Sequence, residues 1–427
     1  MKRKNIFFIS ILAMLMLVAT ACGDSSNEAG SNGEEEDITV EFWTMQLEPT
    51  FTDYLEDLID RYEEENPNVT IDWLDVPADD LEQKVLSDVS AGNAPDVVNL
   101  NPSFGVSLAE LDATTNIDEF VSDEERDQYL EGAWEANQYN DETFGIPWYL
   151  DTDVTLSNEE IFEEAGLDIE DPPETYEEAA EYAKTIKEET GKYGYFVSLD
   201  LSLPIQHMEM MDVPVTNDDG TAAFNTDEGV EVIEYFTELY EEDLIPAESL
   251  SGEQREGTDF YQSEEVAFGT DFFISEIEEN APDVFDKTVP SQAITGDSGK
   301  KMMSVQNLVV PEQSEQQEAA IDFALFVTNA ENQVEFAKLT PIMPSVEEAL
   351  DDPYFTDEPE DADATDLVRL TSAEQLPDAE LLTPPMDNAN DLQTVLRDAF
   401  GRAMLGEATP EESLDQAEEE WNDIVNE

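Results

Sequence analysis

With 427 residues the chain is longer than one ordinary domain of about 100 to 200 residues, and its 40% hydrophobic and 9% aromatic content, spread along the whole length, argues against general disorder. It carries 106 acidic residues against 17 basic ones, which excludes nucleic acid as a natural partner, because phosphates must be neutralised by Lys and Arg. A single cysteine excludes an internal disulfide.

The first element is an export signal over residues 1–21: Lys2, Arg3 and Lys4 precede the apolar run NIFFISILAMLMLVA, which is shorter than the ~20 residues of a spanning helix. Cys22 follows Val18-Ala19-Thr20-Ala21 and resembles the bacterial lipoprotein box, in which the cysteine becomes the lipidated first residue. Removal of residues 1–21 leaves 14 basic residues against 106 acidic ones, a formal charge of −92. These acids lie in every segment, as in proteins from saline habitats, where molar salt screens repulsion within about 3 Å.

After a tether over residues 22–36, DITVEFW (Asp37 to Trp43) alternates like a strand. A helix follows with Phe51, Leu55, Leu58, Ile59 and Tyr62 at helical spacing, then a strand VTIDWLDV, a helix DLEQKVLSDVSAG and a buried strand DVVNL. Strand and helix in alternation predict an α/β lobe with a largely parallel sheet. Beyond Asn158 the pattern turns helical, in PETYEEAAEYAKTIKEETGKYGYF, in NTDEGVEVIEYFTELYEEDLIP with Val230, Ile233, Phe236, Leu239 and Tyr240 on one face, and in two C-terminal stretches. Residues 351–366, acidic and poor in apolar groups, read as an exposed loop.

The ordered blocks ITVEFW, RYEEENPNVTIDWLDVPADDLEQKVLSDVSAGNAPDVVNL, FGIPWYLDTDVTLSNEEIFEEAGL, EEVAFGTDFFISEI and AAIDFALFVTNAENQVEFAKLTPIMPSVEEA are similar to those of the extracellular solute-binding proteins of sugar ABC importers. The resemblance covers nearly the whole mature chain. It implies an α/β, two-lobed periplasmic-binding-protein-like fold with a central ligand cleft and hinge crossings. On that basis the first lobe comprises residues 37–149 plus about 302–349, and the second 150–301 plus about 350–427. The expected protein is a monomer without cofactor or metal, lipid-anchored by Cys22 at the extracellular face of the membrane, that delivers a sugar, most simply an oligosaccharide, to ABC permease subunits.

A sugar has apolar ring faces and a hydroxyl rim, so its complement is aromatic planes with hydrogen-bonding groups. The GIPWY block marks the first crossing in the family, so Trp148 or Tyr149 would stack on a ring and Asp151 would accept hydroxyl protons; packing of the hinge is the other reading of the two aromatics. Trp43 ends the first strand, where open α/β sheets meet ligands, with Gln46 and Glu48 in the loop after it. Asn101 and Ser103 occupy the equivalent place after DVVNL, as ligand contacts or as turn residues. Phe272 and Phe273 stand where relatives often carry a Trp, and Gln306 stands near the second crossing, where relatives often carry Gly-Gly. Trp73, Trp134 and Trp421 are expected in the core. One histidine, His207, permits no Ser-His pair beyond itself and is expected at a surface or in lobe packing. The sequence leaves open a cationic or metal-bearing ligand, an extracellular carbohydrate-active enzyme, and a structural surface lipoprotein.

Overall fold

The computed structural model describes residues 37–199, 202–217, 219–250, 254–270, 272–383, 386 and 388–426, without the side chains of Asp79 and Gln254. The signal segment, Cys22 and the tether therefore lie outside the described residues. The chain from Asp37 onward forms one compact unit, whose described residues include a six-stranded and a four-stranded sheet.

The first lobe begins with strand β1 (Ile38–Met45), helix α1 (Thr52–Glu65), strand β2 (Val69–Val76), helix α2 (Ala78–Ala91), strand β3 (Val97–Leu100), helix α3 (Pro102–Ala109) and strand β4 (Gly145–Asp151). The alternation in β1 sends Val40 and Phe42 to one face of the sheet and Trp43 to the other, so each face acquires its own core. Leu55, Leu58, Ile59 and Tyr62 form the buried stripe of α1, as their spacing predicts. Helix α2 stops at Gly92, whose φ of +74° suits glycine at a left-handed cap.

Three residues past β4 the chain enters the second lobe: β5 (Thr155–Asn158), α4 (Tyr176–Thr190), β6 (Tyr193–Phe196), α5 (Leu203–Met210), α6 (Asp227–Glu241), β7 (Val266–Gly269) and β8 (Thr288–Ser291). Residues Val232, Ile233, Phe236 and Leu239 of α6 are buried, while Val230 and Tyr240 are half-buried at its margin.

It then returns through β9 (Lys301–Met302), β10 (Ser304–Val309), α7 (Gln317–Val327), α8 (Ala330–Ala337), β11 (Met343–Pro344), α9 (Pro353–Thr356), α10 (Ala364–Gln375) and β12 (Ala379–Glu380). Helices α11 (Ala389–Met404) and α12 (Pro410–Val425) complete the second-lobe core through Leu396, Phe400, Leu414 and Trp421.

The first sheet has the order β11-β4-β10-β3-β1-β2, with β1, β2 and β3 parallel and β10 antiparallel to both β3 and β4. The second has the order β8-β5-β7-β6, with β6 parallel to β7 and β5 antiparallel to both its neighbours.

The stretch 351–366 departs from the expected loop. Asp352 caps α9, which buries Phe355, and Asp363 caps α10 in a reciprocal capping box with Asp366. Two aspartates that read as solvent-facing charge therefore act as helix starts. Phe355, Ala373, Leu376 and Ala379 pack with Leu150, Met303, Val305 and Met343 of the first lobe, while Ala364 and Val368 pack on the second. Helix α10 thus touches both lobes.

Candidate functional site

Strand directions locate the site. In the first sheet the ends of β1, β2, β3 and β4 and the start of β10 share one edge; in the second, the ends of β6, β7 and β8 and the start of β5 do. Only residues 152–154 separate the end of β4 from the start of β5, so both edges adjoin the crossing. Ligands of open α/β sheets bind at such carboxyl ends.

Three hydrogen-bonded chains meet there. Thr152 Oγ1 donates to the carbonyl of Met302 (2.7 Å), and β9 pairs with β12 in parallel. Gln375, fully buried, donates Nε2–H to Thr152 Oγ1 (2.9 Å) and to the Asp153 carbonyl (2.6 Å), and its Oε1 accepts from the Ala293 amide (3.0 Å). One side chain thus ties the first crossing to the second-lobe segment that follows β8. Sequence reasoning missed it, because a lone Gln at the end of a helix carries no pattern.

On the first-lobe edge, Gln46 is exposed directly after β1 at φ +54°, and Glu48 is exposed two residues on. Their loop is clamped by Asp75, another residue without a sequence signal, which accepts from the amides of Leu47 (2.9 Å) and Glu48 (3.0 Å) and from Thr44 Oγ1 (2.7 Å). Asn101 is half-buried and caps α3, its Oδ1 accepting from the Phe104 amide at 2.9 Å, and Ser103 is exposed in the first turn. Asp151 is exposed and accepts from the Thr152 amide at 2.9 Å. Tyr149 is half-buried and lies opposite Gln306 in the pairing of β4 with β10. Burial pushes its phenol up to about 12, so it stays a neutral donor at ordinary pH.

Two expected stacking platforms are core instead. Trp148 is 0% exposed, with its ring 5.5 Å from Phe336, 5.1 Å from Tyr149 and 6.3 Å from Phe42. Trp148 lies within the α1–α7 core, and Leu150, on the same face of β4, continues it into the cluster of Met303 and Met343, so the indole has no open side. It sits edge-on against the ring of Tyr149. Trp43 is 5% exposed on the opposite core, and Lys84 Nζ covers its ring at 3.9 Å while pairing with Asp88.

On the second lobe, Phe272 is half-buried and packs on Tyr261 (4.8 Å) and Phe196 (6.1 Å), whereas half-buried Phe273 starts a helix and donates its amide to Thr258 Oγ1. Near them Asp153, Tyr195, Gln206, Thr270, Ala293 and Met302 line a hollow of about 10 Å³, at the threshold for one water. Gln206 Oε1 is buried without a partner. His207 also borders this hollow. It shares hydrogen bonds with Tyr176 Oη (2.9 Å) and the Ser198 carbonyl (3.2 Å), and burial lowers its pKa to about 4, so it is neutral lobe packing. Trp134 and Trp421 are in the core; Trp73 is half-buried, with Nε1–H on Thr44 Oγ1.

A hollow of about 560 Å³ between α4 and α6 lies on the flank of the second lobe away from the strand ends. This flank collects no group from the first lobe. Among the described residues no group of three or more His, Cys, Asp or Glu is placed to hold a metal ion, and no helix is long and apolar enough to cross a membrane.

Residues 48–334 match the family described as bacterial extracellular solute-binding protein. A Synechococcus sp. MITs9220 structure, assigned as an oligosaccharide periplasmic-binding protein, is 34% identical, with a TM-score of 0.79 over 91% of this chain and 99% of that one. A binding protein of Brucella abortus is 23% identical over 416 residues, 95% of each chain. The arabinooligosaccharide-binding protein of Halalkalibacterium halodurans is 26% identical over 275 residues, 61% of this chain and 60% of that protein.

Proposed function

Because the chain belongs to the bacterial extracellular solute-binding protein family, we propose that it captures an oligosaccharide between its lobes and presents it to the permease of an ABC importer. In this reading Cys22 carries the lipid that keeps the protein at the extracellular face of the membrane, the protein works as a monomer, and the sugar is bound without being cleaved.

The observation that carries the reading is the row at the first-lobe edge. Tyr149 and Gln306 face each other across paired strands, Asp151 stands two residues farther along, and Asn101 and Gln46 end the neighbouring strands. A partly exposed phenol ring with flanking amides and one carboxylate suits a hydroxylated ring, whose faces are apolar and whose rim both donates and accepts. Phe273 of the second lobe supplies a further apolar surface on closure. The relatives named for oligosaccharides support the same ligand class.

The test is a thermal-shift panel on residues 23–427 at molar salt, with monosaccharides, linear and cyclic maltodextrins and arabino-oligosaccharides. A ligand that binds only the native state adds ~2.7 kcal/mol at a hundredfold excess over Kd, so a true ligand raises the melting temperature clearly. A panel without any shift refutes sugar capture. Chromatography of the sugar after incubation should return it unaltered, and product formation would make the protein an enzyme.

A further inference from the structure

A chain of amides runs from the interior of the first lobe to Gln306, and its direction is set by groups that can only accept. At the inner end Asn137 donates Nδ2–H to the carbonyl of Ala133 (2.9 Å). Its Oδ1 is thereby turned to Asn307, which donates Nδ2–H to it at 2.5 Å. One strand away, Asn99 donates Nδ2–H to the backbone carbonyl of Asn307 and, from the same amino group, to Oε1 of Gln306, both at 3.3 Å. All three asparagines are fully buried.

A carbonyl cannot donate. Turning Asn137 or Asn99 end for end would set an amide oxygen against a carbonyl oxygen, so the polarity of the chain is fixed at both places. The arrangement holds even though Asn99 Oδ1 and Asn307 Oδ1 are left buried without partners. Gln306 must then point its oxygen inward, and because it is half-buried at the strand-end edge, its free end is the Nε2 amino group.

We propose that Gln306 is a specificity-determining residue that offers the ligand two hydrogen-bond donors and no acceptor, and so selects an oxygen able to accept. The inference rests on the reading of this edge as the ligand site. Asp151 has the opposite character: ionised, it only accepts. Asp151 pairs with Ser304 and Tyr149 with Gln306, so the acceptor and the donor stand two residues apart along the paired strands, on the order of 7 Å. A ligand that fits must present an acceptor over Gln306 and a donor over Asp151, which a polyhydroxylated ring or a pair of linked rings does. Asn99 is a positioning residue that acts through Gln306, its own orientation fixed by the backbone carbonyl of Asn307.

Two measurements decide the matter. The first needs no ligand: in the ¹⁵N-labelled protein, the side-chain NH₂ resonances are assigned by their loss in Gln306→Glu and Asn99→Ala, and their exchange with solvent is measured. The Gln306 NH₂ should exchange at least a hundredfold faster than that of Asn99. Protection of both to the same degree would place the Gln306 amino group inward and overturn the proposal. The second uses the maltodextrin or arabino-oligosaccharide that gives the largest thermal shift. Gln306→Glu keeps the inner acceptor for Asn99 and replaces the outer donors by an acceptor, so affinity should fall tenfold or more with the unliganded melting temperature within a degree or two of the parent. Undiminished binding by this variant refutes the donor role. If no sugar in the panel binds the parent, the sugar reading fails, while the exchange rates still decide the polarity of Gln306.

Discussion

Truncating Trp148 to alanine removes one of the largest side chains that the protein buries completely. An indole buries about 150–250 Å², and at about 25 cal/mol per Å² this amounts to ~4–6 kcal/mol as an upper bound. Alanine keeps the Cβ, and partial collapse of Phe336, Phe42 and Tyr149 into the space brings the expected loss to about 3–5 kcal/mol. Trp148→Phe should behave differently. The indole Nε1–H is buried without a partner, so phenylalanine relieves an unpaired donor worth about 1–3 kcal/mol while opening a smaller void, for a net loss under about 2 kcal/mol. Urea unfolding at molar salt reads both, through midpoints at unchanged slope. A Trp148→Ala midpoint equal to the parent's, combined with loss of sugar affinity, would refute the core placement and restore the indole as a stacking surface.

Cys22→Ser should release the protein from membranes, because each buried CH₂ of an acyl chain contributes about 0.8 kcal/mol; membrane fractionation of a normally processed variant refutes the anchor. With 14 basic residues against 106 acidic ones in the mature chain, stability should rise steeply from low to molar salt, and a melting temperature flat over that range removes the saline-habitat argument. The buried His207 has its pKa lowered from 6.5 to about 4, so the unfolded chain binds its proton first. Its neutral form favours folding fully above pH 6.5, and that contribution, on the order of 3 kcal/mol, is lost as pH falls from 6.5 to 4. His207→Phe should flatten the stability–pH slope of the parent between pH 6.5 and 5, and identical slopes would show that another group sets it.

Regular elements were legible where their period had one meaning. The alternation of Ile38, Val40 and Phe42 and the stripe of Leu55, Leu58, Ile59 and Tyr62 predict β1 and α1 within a few residues of their ends. In GIPWY the same logic fails, because a central strand covered on both faces is apolar at every position, and an aromatic there reads equally as platform or as core. Phe355 was hidden by its acidic neighbours, whose capping role depends on backbone geometry and not on charge. Asp75, Gln375 and the amides that orient Gln306 were invisible for another reason. Their partners lie as far as 223 residues away in the chain, and a single polar residue has no period to betray where it points.

The grip of Gln375 on the chain also bears on how the two lobes can move. Its amino group is committed to Thr152 and Asp153 and its oxygen to Ala293, the residue before Ile294 of the second-lobe core, so rotation at the first crossing works against one planar amide. The first crossing and the segment after β8 must move together with this side chain, because separating them would strand a buried donor or acceptor.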